Sequence, residues 1–162
     1  MELTVMKNGN LQINNARIIF KNFAGEASTY NREGYRNFAL VIDSDEVYEE
    51  LMHEKNEYDV PWNIKVNEPR EDGDSPLMYM KVKVKFNGRG PSVYLVSGER
   101  HSKLDEDEIA MLDDTDIQYV NLDIRPYDGI VNGKPFRAAY LVSMEVIQNI
   151  DRFAARYAEE NN

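Results

Sequence analysis

Residues 77–86 constrain the fold more than any other part of the chain, because apolar and polar side chains alternate along them. One face is apolar and consists of Met78, Met80, Val82, Val84 and Phe86. The other face carries a tyrosine and three lysines, Tyr79, Lys81, Lys83 and Lys85. Since successive side chains of a strand point to opposite faces, this period of two predicts a strand with one side in a core and the other in solvent.

Six further segments have the composition and alternation of strands. They are residues 11–23 with a bend at Asn14 and Asn15, 35–42, 59–66, 92–97, 117–127 and about 135–147. Phe20 and Phe38 are predicted core residues. In the last strand the residues predicted to point inward are Phe136, Ala138, Tyr140, Val142 and Met144. Asn87-Gly88 predicts a hairpin turn between the strands 77–86 and 92–97.

Short helices are predicted between these strands. Asp43 is the expected cap of a helix that runs to about Glu54, with Glu46 as its capping-box partner, and Asp105 with Glu108 begins a second. A third helix is predicted at about 149–159. Together these elements predict a mainly β chain with short helices, folded as a single OB-like antiparallel barrel with a C-terminal helix. The predicted domain is 1–162, in which 1–10 form an N-terminal extension and 149–162 form the C-terminal helix and a short acidic tail.

The composition excludes several kinds of site. The chain of 162 residues has no cysteine, which excludes disulfides, thiolate metal ligands and thiol nucleophiles. Its two histidines, His53 and His101, lie far apart and lack the spacing of metal ligands. The sequence shows neither a signal peptide nor an apolar stretch of membrane length, so we expect a cytoplasmic protein. No cofactor and no metal are predicted.

Two acidic runs, 71–74 and 113–116, offer the oxygen ligands that Mg²⁺ or Ca²⁺ prefers. Neither run matches a calcium-binding loop, and neither adjoins a basic phosphate clamp. We therefore interpret them as turns and helix caps, and with no P-loop or nucleophile elbow an enzyme is not predicted. A divalent-metal nuclease or nucleotide enzyme that uses the 113–116 carboxylates is an alternative. Absence of metal-dependent hydrolysis, or unchanged activity in Asp114→Ala, would remove it.

The net charge of −10 argues against nucleic acid as a ligand, because phosphate binding depends on lysine and arginine. The charges are segregated along the chain, however. Acidic residues concentrate in 43–57, 67–74, 105–116 and 158–160, and basic residues in 17–36, 81–89 and 125–137. An acidic protein with a separate basic face can still bind a polyanion on that face.

The basic segments contain the candidate nucleic-acid-binding residues. Lys81, Lys83 and Lys85 repeat about 6.5–7 Å apart on one strand face, a spacing that suits an extended phosphate backbone. The alternative interpretation is a solvated sheet face, or an edge that lysines protect from aggregation. Aromatic side chains near the basic residues are predicted to stack bases. The complete predicted set is Lys21, Tyr30, Arg32, Tyr35, Arg36, Trp62, Tyr79, Lys81, Lys83, Lys85, Arg125, Tyr127, Lys134 and Arg137.

Seven segments, which follow one another in order along the chain, carry a resemblance to a known protein family. They are 15–23 (NARIIFKNF), 30–38 (YNREGYRNF), 62–65 (WNIK), 81–86 (KVKVKF), 104–106 (LDE), 123–127 (DIRPY) and 131–134 (VNGK). Together they resemble a phage and prophage protein family described as single-stranded-DNA-binding-like, with an OB-type fold. The resemblance implies a protein that coats single strands in the cytoplasm of a bacterial host. Phage proteins of this kind often end in an acidic tail, but here the tail is only Glu159 and Glu160.

The residues and the resemblance lead to one functional prediction. The chain is predicted to be a sequence-tolerant single-stranded-DNA-binding protein of phage or prophage origin that acts in DNA replication or recombination. Single-stranded DNA is the expected partner and a membrane is not, while replication proteins and a second copy of the chain are left open. The alternative is a protein-interaction or DNA-mimic module that docks a replication or host factor through its acidic surfaces.

Overall fold

In the computed structural model, which describes residues 1–150 and residue 153, the chain is mainly β, as predicted. The strands are β1 (Glu2–Val5), β2 (Leu11–Ala16), β3 (Ile18–Asn22), β4 (Arg36–Val41), β5 (Ile64–Asn67), β6 (Leu77–Val84), β7 (Ser92–Ser97), β8 (Arg100–Leu104), β9 (Ile117–Val131) and β10 (Lys134–Gln148). The helices of the described part are α1 (Asp45–His53) and a 3-10 helix (Ile109–Asp114). The sequence pattern does not predict β1, which lies in the supposed N-terminal extension, or β8. β1 is only four residues long, and β8 has four exposed polar residues out of five.

The strands form one sheet around the long strand β10. Their hydrogen-bonded order is β1-β2-β9-β10-β6-β4-β3. β9 pairs antiparallel with β10 along nearly its whole length. On its other side β10 pairs in parallel with β6 and then with β7, while β5 is added to β6 and β8 to β7. This arrangement places β6 between β4 and β10, where the candidate site lies.

The prediction of a hairpin at Asn87-Gly88 is wrong. The turn itself forms, since the backbone N–H of Asn87 donates to the carbonyl of Gly90 at 2.9 Å. The strands on either side do not pair with each other, however. β6 pairs with β10 at residues 139–140, and β7 pairs with it at residues 143–147. The turn therefore carries the chain from one stretch of β10 to the next.

One hydrophobic core holds the sheet together. Its largest buried side chains include Trp62, Phe23 and Phe38. The core also joins Leu11 of β2 with Leu40 of β4, although three strands lie between them in the sheet order. A flat sheet would hold β2 and β4 about 19 Å apart, at about 4.8 Å per strand. The shared core therefore requires a strongly curved sheet.

The two ends of the sheet approach each other without pairing. The ammonium group of Met1, just before β1, lies 2.7 Å from Oδ2 of Asp43, just after β4. Within the described residues, however, the terminal strands β1 and β3 share no ladder. The curved sheet is mainly β as predicted, but closure into an OB-like barrel is not confirmed.

Phe20 is not the core residue that alternation predicts. Its backbone has a φ of 51°, and the pairing of β3 with β4 is irregular between Ile19 and Asn22. Such an irregularity re-aims a side chain. The Phe20 ring is 60% exposed and lies edge-on to Tyr79, with centroids 5.4 Å apart. Phe38, the other predicted core phenylalanine, is buried.

The first half of β10 also faces the opposite way from the prediction. The buried residues there are Ala139 and Leu141, whereas Tyr140 is only partly buried. A bulge between Leu141 and Ser143 shifts the register, so that beyond it the even-numbered Met144 and Val146 point into the core. Strict alternation counted backwards from the buried Met144 therefore places Tyr140 in the core, although it lies on the opposite face of the strand.

The predicted helix starts are close to the observed ones. Ser44, one residue after the predicted cap, caps α1 by accepting a hydrogen bond from the N–H of Val47 at 3.2 Å. Asp105 and Glu108 form the predicted capping box reciprocally, at 2.9 and 3.3 Å, ahead of the 3-10 helix. The helix predicted at about 149–159 falls almost entirely outside the described residues. In the described part, no helix is long and apolar enough to span a membrane.

Asp113 ties the 3-10 helix to the chain after β3. Its two carboxylate oxygens accept hydrogen bonds from the backbone N–H groups of Phe23, at 2.7 Å, and Ala24, at 2.9 Å. Phe23 belongs to the core. This acidic run therefore contains a structural anchor.

We expect Asp113→Asn to lower the free energy of unfolding by about 1.5–3 kcal/mol, since the charged acceptor of two backbone donors is lost. The exposed neighbour makes a matched control, because Asp114→Asn changes the charge equally. Urea denaturation of both variants measures the difference. Equal stability of the two variants would contradict the anchoring role of Asp113.

Candidate nucleic-acid interface

β4, β6 and β10 form the floor of an open groove of about 700 Å³, and the loop between β3 and β4 forms one wall. In the described part of the chain, its charged lining residues are five cations and one carboxylate, Arg32, Arg36, Lys81, Lys83, Lys85 and Glu106. Its aromatic lining residues are Tyr30, Tyr35, Phe86 and Tyr140. An acidic chain therefore presents a local excess of positive charge beside several rings.

The lysines of β6 stand in a row along this floor. Lys81 lies opposite Ala39, and Lys83 lies opposite Asn37, so the neighbouring strand β4 places no acidic side chain beside them. Burial, together with the charges of Lys83 and Lys65, lowers the pKa of Lys81 from its ordinary value. Cations that repel one another in this way are stabilised by an anion placed between them.

The loop between β3 and β4 is held in shape by backbone and amide hydrogen bonds. The N–H of Gly34 donates to the carbonyl of Gly25 at 2.8 Å. Gly25 has a φ of +69°, and a Cβ there would lie 3.1 Å from the carbonyl carbon of Gly34, so the close approach requires glycine. The side-chain amide of Asn31 donates to the carbonyls of Glu26, Arg32 and Tyr35. This scaffold does not depend on the tyrosine rings.

Two tyrosine rings project from this loop into solvent. Tyr30 is 93% exposed and Tyr35 is 59% exposed, and both line the groove. Exposing a large apolar ring on a well-ordered loop has no stabilising role in the fold. Such rings are available to stack on flat ligands such as nucleobases.

Arg36 is the innermost cation of the groove and contacts Glu106, the one carboxylate among the lining residues that the structure describes. The guanidinium group lies 5.9 Å from the centroid of the Phe86 ring and 3.8 Å from Oε1 of Glu106. The Arg36 side chain is mostly buried, whereas that of Glu106 is mostly exposed. Glu106 therefore occupies a position from which a ligand phosphate can displace it.

Tyr140 joins the groove to the β9–β10 hairpin and is a site residue that sequence reasoning missed. Lys83 Nζ lies 5.7 Å from its ring centroid, and the Arg125 guanidinium lies 4.9 Å from it. Tyr127 packs edge-on against the same ring at 5.7 Å. The predicted residues Arg125 and Tyr127 thus adjoin the groove through Tyr140. Only the bulge in β10, which the sequence does not reveal, brings this ring to the groove side.

Three predicted binding residues make contacts within the protein and lie outside the groove lining. Lys21 donates from Nζ to the carbonyls of Leu112 and Thr115, at 2.9 and 2.8 Å, and so caps the 3-10 helix. Trp62 is 1% exposed and lies in the core, where it cannot stack a base. Arg137 lies over the Trp62 ring at 5.0 Å. It forms a bidentate pair with Asp128, at 2.9 and 3.2 Å, on the side of the hairpin away from Tyr140.

Two further predicted residues lie beyond the groove. Tyr79 shares the outward face of β6 with the lysines and contacts the exposed Phe20 ring, but neither lines the groove. Lys134 is exposed at the turn between β9 and β10. The groove therefore brings together Tyr30, Arg32, Tyr35, Arg36, Lys81, Lys83 and Lys85 from the predicted set.

The structure is a β-rich fold with a preformed groove lined by cations and aromatic rings. These features are typical of modules that bind polyanions. The family model described as "Putative phage ssDNA-binding domain" matches residues 1–161. The chain belongs to this family, which confirms the resemblance seen in its sequence. No curated protein matches the chain.

Solved structures with a similar fold include three of one phage protein. The single-stranded DNA-binding protein from bacteriophage Enc34 in complex with ssDNA has a TM-score of 0.60 and 17% identity, over 94% of this chain and 93% of that one. A second structure of the single-stranded DNA-binding protein from bacteriophage Enc34 has a TM-score of 0.56 and 15% identity, over 94% of this chain and 88% of that one. A C-terminal truncation of that phage protein has a TM-score of 0.55 and 16% identity, over 92% of this chain and 91% of that one. At these identities the likeness concerns the fold.

The Asp128–Arg137 pair predicts a dependence of stability on pH. The hydrogen bond from Arg137 lowers the pKa of Asp128, with a further hydrogen bond from Asn56, against the opposing effect of burial. Because the folded pKa lies below the unfolded one, the stabilisation is present above about pH 4 and is lost as the pH falls through the folded value.

We therefore expect Asp128→Asn to lower the free energy of unfolding at pH 7, and the difference from wild type to shrink towards pH 3. Urea denaturation at several pH values measures this difference. Asp72→Asn, in an exposed turn, is the matched control and should show a small difference at every pH. A deficit in Asp128→Asn that stays constant down to about pH 3 would count against the ion pair.

Proposed function

We propose that this chain binds single-stranded DNA in the groove formed by β4, β6, β10 and the loop between β3 and β4. The observation that carries the proposal is the row of Lys81, Lys83 and Lys85 along a floor flanked by exposed tyrosine rings. The lysines contact successive phosphates, and Tyr30 and Tyr35 stack on bases. Membership of the phage family supports the same ligand.

The arrangement favours single strands because its rings need bases with free faces. Stacking on an aromatic ring contributes roughly 1–3 kcal/mol per base and depends little on which base is present. The groove supplies lysine and arginine as its charged donors, which suit phosphates more than base edges. Binding therefore depends little on the base sequence. No catalytic step is proposed, since the family is described as a binding domain.

The net charge of −10 does not prevent this binding, because the groove has its own balance of charge. Among the described residues, five cations and one carboxylate line it, which gives a local charge of +4. Counterion release depends on the cations that meet the phosphates. The acidic segments elsewhere repel DNA and so confine it to the groove.

The finer features of the fold and role are also proposals. We propose that the curved sheet is OB-like, which its shared core and the contact between Met1 and Asp43 support. We also propose that the protein covers single strands exposed in replication or recombination in the host cytoplasm. The phage family supports that role.

Replacing a groove lysine tests the site. Lys83→Ala should weaken binding of a fluorescent oligo-dT by roughly tenfold at low salt, since a charged contact is lost. The slope of log affinity against log salt should fall in magnitude by about 0.7, the contribution of one phosphate contact on a single strand. Fluorescence anisotropy at several salt concentrations measures both quantities.

Lys55→Ala provides the matched control, because Lys55 follows α1 and does not line the groove. Its affinity and salt slope should stay close to those of the wild type. If Lys55→Ala and Lys83→Ala weaken binding equally, the effect is one of overall charge and the groove is not the site. If the wild type itself fails to bind at low salt, the proposed function is wrong.

Removing the groove carboxylate should have the opposite effect. Glu106→Gln releases Arg36 from its ion pair and should strengthen binding several-fold at low salt. Asp107→Asn makes the same change of charge one residue away, outside the groove lining, and should have a smaller effect. Equal gains in the two variants, measured by the same anisotropy titration, would contradict competition at Arg36.

A further inference from the structure

We infer that the β9–β10 hairpin is a second part of the DNA path, on which about two bases stack beyond the groove. This inference rests on the proposed function and extends it along the β9–β10 hairpin, of which only Tyr140 belongs to the groove lining. The part concerned is the arm, which we define as residues 125–131 of β9 with residues 134–140 of β10.

One face of the arm carries a row of rings that continues from the groove. Arg125 pairs with Tyr140, Tyr127 with Ala138, Gly129 with Phe136 and Val131 with Lys134, so these residues share a face. Tyr127 contacts the Tyr140 ring at 5.7 Å and the Phe136 ring at 6.0 Å. The row therefore runs unbroken from Tyr140 in the groove to Phe136 near the tip.

Gly129, which lacks a side chain, lets the Phe136 ring pack directly against the backbone of β9. A Cβ at Gly129 would lie 2.9 Å from two carbons of the Phe136 ring, which is closer than real Cβ atoms come. The ring therefore lies against the backbone of β9 and is fixed in position. A ring fixed in this way loses little freedom when a base stacks on it.

The charge on this face suits a phosphate backbone. Its eight residues include two cations, Arg125 at the groove and Lys134 at the tip, and no carboxylate. The distance along the strand from residue 140 to residue 134 is about 20 Å. Cations at both ends with rings between them form the pattern expected of a single-strand platform.

The opposite face of the arm is fastened to the body of the protein. Arg137 pairs with Asp128 within the arm and also donates to the carbonyl of Glu54 at 3.0 Å. Asn56 donates to Asp128 at 3.0 Å and to the carbonyl of Phe136 at 3.3 Å. The arm is thus held in place by its far side while Tyr127 stays 51% exposed on the aromatic side. A surface that is both fixed and exposed is organised for a ligand in advance.

A length series of oligonucleotides tests the inference. Oligo-dT of about 4 to 16 nucleotides spans the site sizes of such folds. Tyr127→Ala should bind the short oligonucleotides as wild type does. Beyond the length that first reaches the arm, it should bind about 5-fold or more weakly, the loss expected for one stacked base. Tyr127→Phe keeps the ring and should follow wild type at every length.

Phe20→Ala is the matched control, because Phe20 is an exposed ring at the other end of β6, beside Tyr79. It should follow wild type at every length. The inference is overturned if Tyr127→Ala follows wild type throughout, if its loss is the same at all lengths, or if the length-dependent loss appears in Phe20→Ala instead. In each case normal binding of short oligonucleotides by wild type leaves the groove proposal standing. Failure of wild type at every length would refute that proposal separately.

Discussion

The placement of β6 between β4 and β10 is the constraint on which the rest of the structure depends. Met80, Val82 and Val84 of this strand are buried in the core, and the period of two then directs the lysines to the other side. A slip of one residue would bury the lysines and expose the apolar row, so the register is strongly determined. The burial that stabilises the sheet also produces the cationic floor of the groove.

The bulge in β10 has the same importance for the aromatic part of the site. Before the bulge, Ala139 and Leu141 enter the core and Tyr140 faces Lys83 and the groove. After it, Met144 and Val146 enter the core instead. One extra residue thus lets a single long strand pack on the core along its length and still turn a ring towards the lysines. Bulges that re-aim side chains in this way are common beside binding sites.

The parts of the fold that were predictable are those determined by local pattern. Alternation located β6 and β9, and the Asp105–Glu108 capping box was recognisable from its spacing. The errors arose where a distant contact decides the outcome. The backbone irregularity at Phe20 and the separate partners of β6 and β7 along β10 depend on the assembled sheet.

The candidate site was predictable to a similar extent. The lysine row and the loop tyrosines were evident because exposed cations and rings are visible in the sequence. The positions of Trp62 and Arg137 were not foreseen, because their contact with each other joins segments far apart in the chain. Tyr140 was missed for the same reason, since its orientation follows from the bulge. The surface was therefore foreseeable in its composition, whereas its boundaries required the structure.

We propose that single-stranded DNA lies in the groove between the lysines of β6 and the loop tyrosines. Photo-crosslinking with an oligonucleotide that carries 5-iodouracil, followed by mass spectrometry of the crosslinked peptides, tests it directly. Binding in the groove predicts adducts on Tyr30 or Tyr35, which disappear when excess unlabelled oligo-dT is added. Adducts confined to exposed rings away from the groove, such as Tyr58 or Tyr94, would contradict it.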